Sequence, residues 1–138
     1  MAMIIDASVA GAWVMPDERS IIATDIGRRV LAEGACVPDL FAHELRNLLV
    51  MGVQRRRLPE DLFWDQLARI EQMPIRVVPS GPSKRIAQLA FKHRLTAYDA
   101  AYLDLALDQA LPLASLDKDL RRAAVAEGVV LLPPAMPE

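Results

Sequence analysis

The chain has 138 residues, one domain of ordinary size, and its 53% hydrophobic and 25% charged residues exclude an intrinsically disordered protein. With 16 basic against 18 acidic residues the net charge is −2, which by itself does not advertise a nucleic-acid partner. A single cysteine, Cys36, excludes an internal disulfide and a cysteine-based zinc site.

Met3-Ile4-Ile5 reads as a first strand (3–5), followed by helical spacing over 8–14 and 18–33. Gly34 stands where a C′ glycine belongs, ahead of a short second strand at 35–37. Asp39 is placed as the N-cap of a helix over 40–56, and another helix covers 60–71. A third strand at 75–78 leads to helices at 82–93 and 97–110, the latter capped by Thr96. Strand 113–115, a helix over 118–127 between Asp117 and Gly128, and strand 129–132 complete the pattern. Strands separated by helices predict βαβ crossovers. The expected architecture is one domain over 1–132, a three-layer α/β/α sandwich with a mostly parallel sheet of about five strands. Residues 133–138 read as a loose tail. The longest apolar stretch, 9–15, is far short of the roughly 18 residues of a membrane span. The start lacks a basic region and carries Asp6 where a signal peptide stays apolar, so a cytoplasmic, membrane-free setting is expected.

In parallel sheets, ligands bind beyond the carboxyl ends of the strands. Asp6 ends the first strand, Asp39 follows the second, and Ser115 to Asp117 follow the fourth. Helix capping explains an Asp at any such position, and for Asp39 it is the preferred reading. Two acids on helices are harder to dismiss. Glu44 lies i+3 from Phe41 and i−4 from Leu48, inside the apolar stripe of its helix. Asp99 shares a face with Tyr102 and Leu103, whereas Asp104 and Asp108 stack on another face as solvated acids should. The pattern Thr96-Ala97-Tyr98-Asp99 is also a capping box, and Glu44 could be neutralised by an arginine. As a set, however, Asp6, Glu44, Asp99 and Asp117 reach one sheet edge from four separate elements. Such a cluster repels itself unless a hard cation, Mg²⁺ or Mn²⁺, is bound. The chemistry suited to it is metal-assisted phosphodiester hydrolysis, with a metal-activated water attacking phosphorus in line.

Four segments, in order, resemble the motifs of PIN-domain proteins, in particular the VapC-type toxins of VapBC toxin–antitoxin systems. They are Ile4-Ile5-Asp6-Ala7-Ser8, the stretch from Val37-Pro38-Asp39 through Glu44 to Leu48-Leu49, Leu95-Thr96-Ala97-Tyr98-Asp99-Ala100-Ala101-Tyr102-Leu103, and Leu113-Ala114-Ser115-Leu116-Asp117-Lys118-Asp119-Leu120. The resemblance covers essentially the whole chain. It implies a divalent-metal-dependent endoribonuclease whose metal-binding and catalytic acids are Asp6, Glu44, Asp99 and Asp117. Ser8 and Ser115 are implied as supports of those acids or of a water. Asp119 is a further candidate acid, though a first-turn position at a helix N-terminus explains it too. The resemblance also implies an RNA substrate (transfer or ribosomal RNA), a small antitoxin of VapB type covering the acidic site, and a homodimer.

Other residues point less sharply. The basic side is 13 Arg and 3 Lys, and Arg55-Arg56-Arg57 is its one dense run, able to grip RNA phosphates or to complement a helix C-terminus. Lys118, beside Asp117, could meet a phosphate. His43 and His93 form no histidine metal motif, and Trp13, Phe63 and Trp64 read as core or dimer contacts. A phosphoacceptor receiver domain would need an acidic pair after the first strand and a lysine after the fifth. Here Ala7 follows Asp6, and Pro133-Pro134 follows the last strand. A PIN-like RNA- or protein-binding module without turnover is the main alternative. Setting the four acids aside leaves 16 basic against 14 acidic residues, so −2 averages an acidic site and a mildly basic remainder.

Overall fold

Met3–Ile5 forms β1, wholly buried, at the middle of a five-stranded sheet. The computed structural model describes residues 1–136, and Pro137 and Glu138 of the expected tail lie outside them. After β1 come α1 (Ala7–Val14), α2 (Ile21–Glu33), β2 (Ala35–Pro38), α3 (Leu40–Gln54), α4 (Glu60–Glu71) and β3 (Ile75–Val78). Then follow α5 (Ser83–His93), α6 (Ala97–Gln109), β4 (Leu113–Ala114), α7 (Lys118–Ala126) and β5 (Leu131–Leu132). Every ladder is parallel and the strand order is β3-β2-β1-β4-β5.

That order fixes where the helices go. Parallel crossovers are right-handed, so the steps from β1 outward to β3 put α1 to α4 on one face. The return through β4 to β5 puts α5, α6 and α7 on the other. The packing agrees: α1 lies against α2 and α3, and α3 against α4, while α6 packs on α5, α7, β1, β2 and β4. This is the expected α/β/α sandwich. The connections leaving the neighbours β1 and β4 run in opposite directions, and the crevice at the carboxyl ends of these two strands is where an open α/β sheet binds ligands. The pairings Ile4 with Leu113 and Ile5 with Ala114 set the ends of β1 and β4 level, so Asp6 and Ser115 leave the sheet side by side.

Several element ends differ from the sequence reading. Ser20 caps α2, its Oγ accepting from the Ala23 N–H at 3.1 Å, so that helix starts at Ile21 and not at residue 18. Three helices close through non-glycine residues with positive φ, namely Arg56 (60°), Arg94 (56°) and Ala110 (52°). The closure at Arg56 ends α3 at Gln54, short of residue 56. The last strand begins at Leu131 because the Val129 N–H is used in closing α7, donating to Ala124 O at 2.9 Å past Gly128. β4 likewise stops at Ala114, and Ser115 turns out of the strand. Asp39 is not a side-chain cap; its carboxylate accepts from Ser80 Oγ at 2.9 Å and joins the start of α3 to the segment after β3. No helix among the described residues is long and apolar enough to cross a membrane.

Candidate active site at the carboxyl edge of the sheet

Asp6 sits where β1 ends, buried to 4% exposure, and is held on both oxygens. Its Oδ1 accepts from Ser8 Oγ at 2.6 Å and from the Val9 N–H at 3.3 Å, capping α1. Its Oδ2 accepts from Ser115 Oγ at 2.6 Å. The two hydroxyls also accept: Ser115 Oγ from the Asp117 N–H (3.1 Å) and Ser8 Oγ from the Leu116 N–H (2.9 Å). The serines therefore lace the end of β1 to the turn after β4, with Asp6 in the middle of the lacing.

The other acids arrive from helices. Asp117 caps α7, its Oδ1 accepting from the N–H groups of Asp119 (2.9 Å) and Leu120 (3.0 Å). Asp99 lies half-buried in the first turn of α6, where its N–H donates to Thr96 Oγ1 at 3.1 Å. Glu44, half-buried on α3, accepts at Oε1 from the hydroxyl of buried Tyr102, 2.6 Å away. Asp119 is exposed and pairs with Arg122 at 3.7 Å.

These acids feel one another. Burial pushes the Asp6 carboxyl up to about 6, against its serine and amide hydrogen bonds, and the charge of Asp117 adds to the rise. Asp99 is also pushed up to about 6, first by burial, then by the charges of Asp117, Glu44 and Asp119. Tyr102 is held protonated by burial, by its bond to Glu44, and by the charges of Glu44, Asp6 and Asp99. The chemistry of this donor set, carboxylate oxygens whose charges help push Asp6 and Asp99 up, fits a hard divalent cation. Among the described residues, no three His, Cys, Asp or Glu side chains converge closely enough to hold one ion in this conformation. The acids face each other at Coulombic rather than contact range. Glu44 is meanwhile held by Tyr102, and one oxygen of Asp117 by its own helix.

A cavity of about 480 Å³ lies elsewhere, between α1, α2 and α4, walled by Trp13, Arg28, Arg69, Ile70 and Met73. None of the candidate acids lines it. The candidate acids stand at the sheet edge and not in this cavity.

The PIN domain family model matches residues 3–126, the span that contains all four acids. The chain belongs to the PIN-domain family. Ribonuclease VapC3 of Pyrobaculum aerophilum is 32% identical to it over 123 residues, covering 87% of this chain and 92% of that protein. The solved structure of PAE2754 from Pyrobaculum aerophilum shares the fold, with a TM-score of 0.73 at 21% identity, covering 96% of this chain and 93% of that one. So does VapBC2 of Rickettsia felis, solved bound to a DNA fragment from its promoter, with a TM-score of 0.67 at 7% identity over 95% and 97% of the two chains. Within the PIN-domain family, this chain is of the VapC type.

Some sequence readings of this PIN domain need correction. Asp104 is not a solvated acid; it is 2% exposed and paired through both oxygens with Arg85. Residues 100–106 of α6 are all buried, so the middle of that helix has no wet face. Within the arginine run, Arg57 is not free for phosphate, since it binds Asp17 and Glu18. Trp13 packs against the core as expected, its Nε1 donating to Ala23 O at 2.7 Å, whereas Trp64 is not core and stands 63% exposed beside Phe63. His93 pairs with Glu127 at 2.6 Å. Two residues beside the site escaped the sequence reading. Tyr102 was counted as apolar core, although it is the hydroxyl at i+3 from Asp99. Arg121 is a cation within the buried stripe of Leu120, Ala123 and Ala124, the mirror image of the argument that singled out Glu44.

Proposed function

We propose that the protein is a toxin-type endoribonuclease that hydrolyses RNA phosphodiester bonds at the carboxyl edge of its sheet, with Mg²⁺ or Mn²⁺ as cofactor. The observation that carries this reading is the gathering of Asp6, Glu44, Asp99 and Asp117 from four elements at one sheet edge, where the charge of Asp117 bears on Asp6 and the charges of Asp117 and Glu44 bear on Asp99. Membership of the PIN-domain family and the likeness to a ribonuclease of VapC type support it.

The roles divide by environment. Asp6, Glu44, Asp99 and Asp117 are the residues that would hold the cation. A bound divalent ion supplies Lewis-acid activation of water and offsets charge on the phosphate. Ser8 and Ser115 orient Asp6 by donating to opposite oxygens. Tyr102 donates to Glu44 and, staying protonated, keeps that donation across the working pH range. Lys118, exposed beside Asp117, offers a cation to an incoming phosphate. The substrate is placed among structured cellular RNAs, transfer or ribosomal. The partner is a small antitoxin of VapB type that covers the acidic edge, and the working form is a cytoplasmic homodimer.

The test is cleavage of total RNA and transfer RNA by the purified protein with Mg²⁺ or Mn²⁺, against chelator and against Asp99→Asn. Metal-dependent cleavage lost in the variant, with its circular dichroism spectrum intact, is expected. Equal cleavage by Asp99→Asn would overturn the assignment, and RNA binding without cleavage under either metal would identify a binding module instead.

A further inference from the structure

Arg121 has 7% exposure, on the inner side of α7 among Leu120, Ala123 and Ala124. Its Nη1 donates to Ser115 O at 2.9 Å and its Nη2 to Pro133 O at 2.7 Å. Both partners are carbonyls, which hold a guanidinium in place without neutralising it. Burying an uncompensated cation is expensive, and an apolar side chain of similar volume would stabilise the same spot better. The arginine therefore needs an electrostatic reason.

The hydrogen bonds lead to one. Arg121 grips Ser115 by its carbonyl, and the hydroxyl of the same serine donates to Asp6 Oδ2 and accepts from the Asp117 N–H. Burial lowers the proton affinity of Arg121, and the charge of Asp6 opposes that loss. We propose that Arg121 is a positioning residue for Asp6, a permanent cation set behind the acidic edge that fixes the Ser115 turn and offsets the buried carboxylate. It reduces repulsion among the acids from the interior side and leaves the solvent side clear for phosphate. Its other bond draws in Pro133, so the first residue after β5 is part of the support of the site.

The consequence for turnover rests on the ribonuclease reading, whereas the coupling to Asp6 does not, and the experiment separates them. Thermal melts at pH 8 in chelator are recorded for wild type, Arg121→Gln, Asp6→Asn and the double variant. Arg121→Gln is expected to lower the Tm, and the loss to shrink by roughly half or more when Asp6 is already Asn. Equal losses in both backgrounds would show Arg121 to be packing alone and overturn the proposal. If Arg121→Gln does not fold, Arg121→Met, uncharged and of similar length, carries the same cycle: its Tm loss should again shrink by roughly half or more when position 6 is Asn. Equal losses in the two backgrounds overturn the proposal equally. In cleavage assays Arg121→Lys should lower kcat with KM unchanged. A change confined to KM would contradict positioning of Asp6, and an absence of cleavage in wild type would count against the ribonuclease reading alone.

Discussion

Replacing Asp6 by Asn should make the metal-free protein more stable at neutral pH while abolishing cleavage. The folded state raises the Asp6 carboxyl from 3.8 to about 6, chiefly by burial. A raised acid binds its proton more tightly when folded, so its favourable contribution is complete below about pH 4 and is lost as pH climbs through about 6. Ionised Asp6 then costs about 3 kcal/mol, from roughly 2 pKa units at about 1.4 kcal/mol each. Asn carries no charge, but its amide nitrogen meets one of the two serine hydroxyls, a loss of about 1 kcal/mol. The net gain above pH 7 is about 2 kcal/mol, or roughly 6 °C in Tm for a domain of this size. The assay is a series of circular dichroism melts in chelator from pH 4 to pH 8, with wild type and variant at each pH. The other acids titrate in both proteins, so the difference isolates Asp6. At pH 4 the advantage should be gone, leaving the variant equal to or below wild type. A variant that melts below wild type by the same margin at both pH values would refute the reasoning. Mn²⁺ should stabilise wild type and not the variant.

Further substitutions probe the supports. Tyr102→Phe keeps the packing and removes the donor to Glu44, so cleavage should fall roughly tenfold or more with little change in Tm, measured on matched preparations. Ser115→Ala strips a hydrogen bond from Asp6 and the acceptor from the Asp117 N–H, so both cleavage and stability should drop, the latter by about 1–3 kcal/mol in denaturant titrations. Arg85→Ala strands the buried Asp104 carboxylate, and the melting loss should be largely recovered in an Arg85→Ala, Asp104→Asn double variant. Gly81→Ala would push a methyl group into the Asp104 carboxylate and the Arg85 guanidinium, destabilising by about 1–3 kcal/mol in the same titrations.

The layer order was legible because crossover handedness leaves few options once five strands alternate with helices. Helix ends were less legible where their closure used unexpected residues. Gly34 and Gly128 adopt the positive φ expected of helix-closing glycines, at 83° and 76°. Arg56, Arg94 and Ala110 adopt it too, and no residue type at those positions signals a left-handed backbone. Asp104 was misread for a different reason. Helical spacing tells which residues share a face, not how many faces are covered, and α6 is enclosed by the sheet, α5 and α7 together. The spacing of Asp104 and Asp108 was correct, and solvent reaches only the second.

The carboxylates pose the sharper lesson. Capping and site chemistry competed as explanations for Asp6 and Asp117, yet the structure uses both residues as caps. The two explanations are compatible because a carboxylate has two oxygens. Asp117 commits Oδ1 to the first amides of α7, which fixes the side chain at the end of β4 and leaves Oδ2 for the edge. Asp39 looked the most ordinary cap and is not one, since its backbone is already helical and its carboxylate turns to Ser80. A cap at the carboxyl end of a central strand is therefore no argument against a role in the site. The helix N-terminus positions the acid, and the amide dipoles that stabilise its charge would equally favour an approaching phosphate. What separates Asp6 and Asp117 from Asp39 is the strand they follow: β1 and β4 flank the switch point, and β2 does not share that crevice.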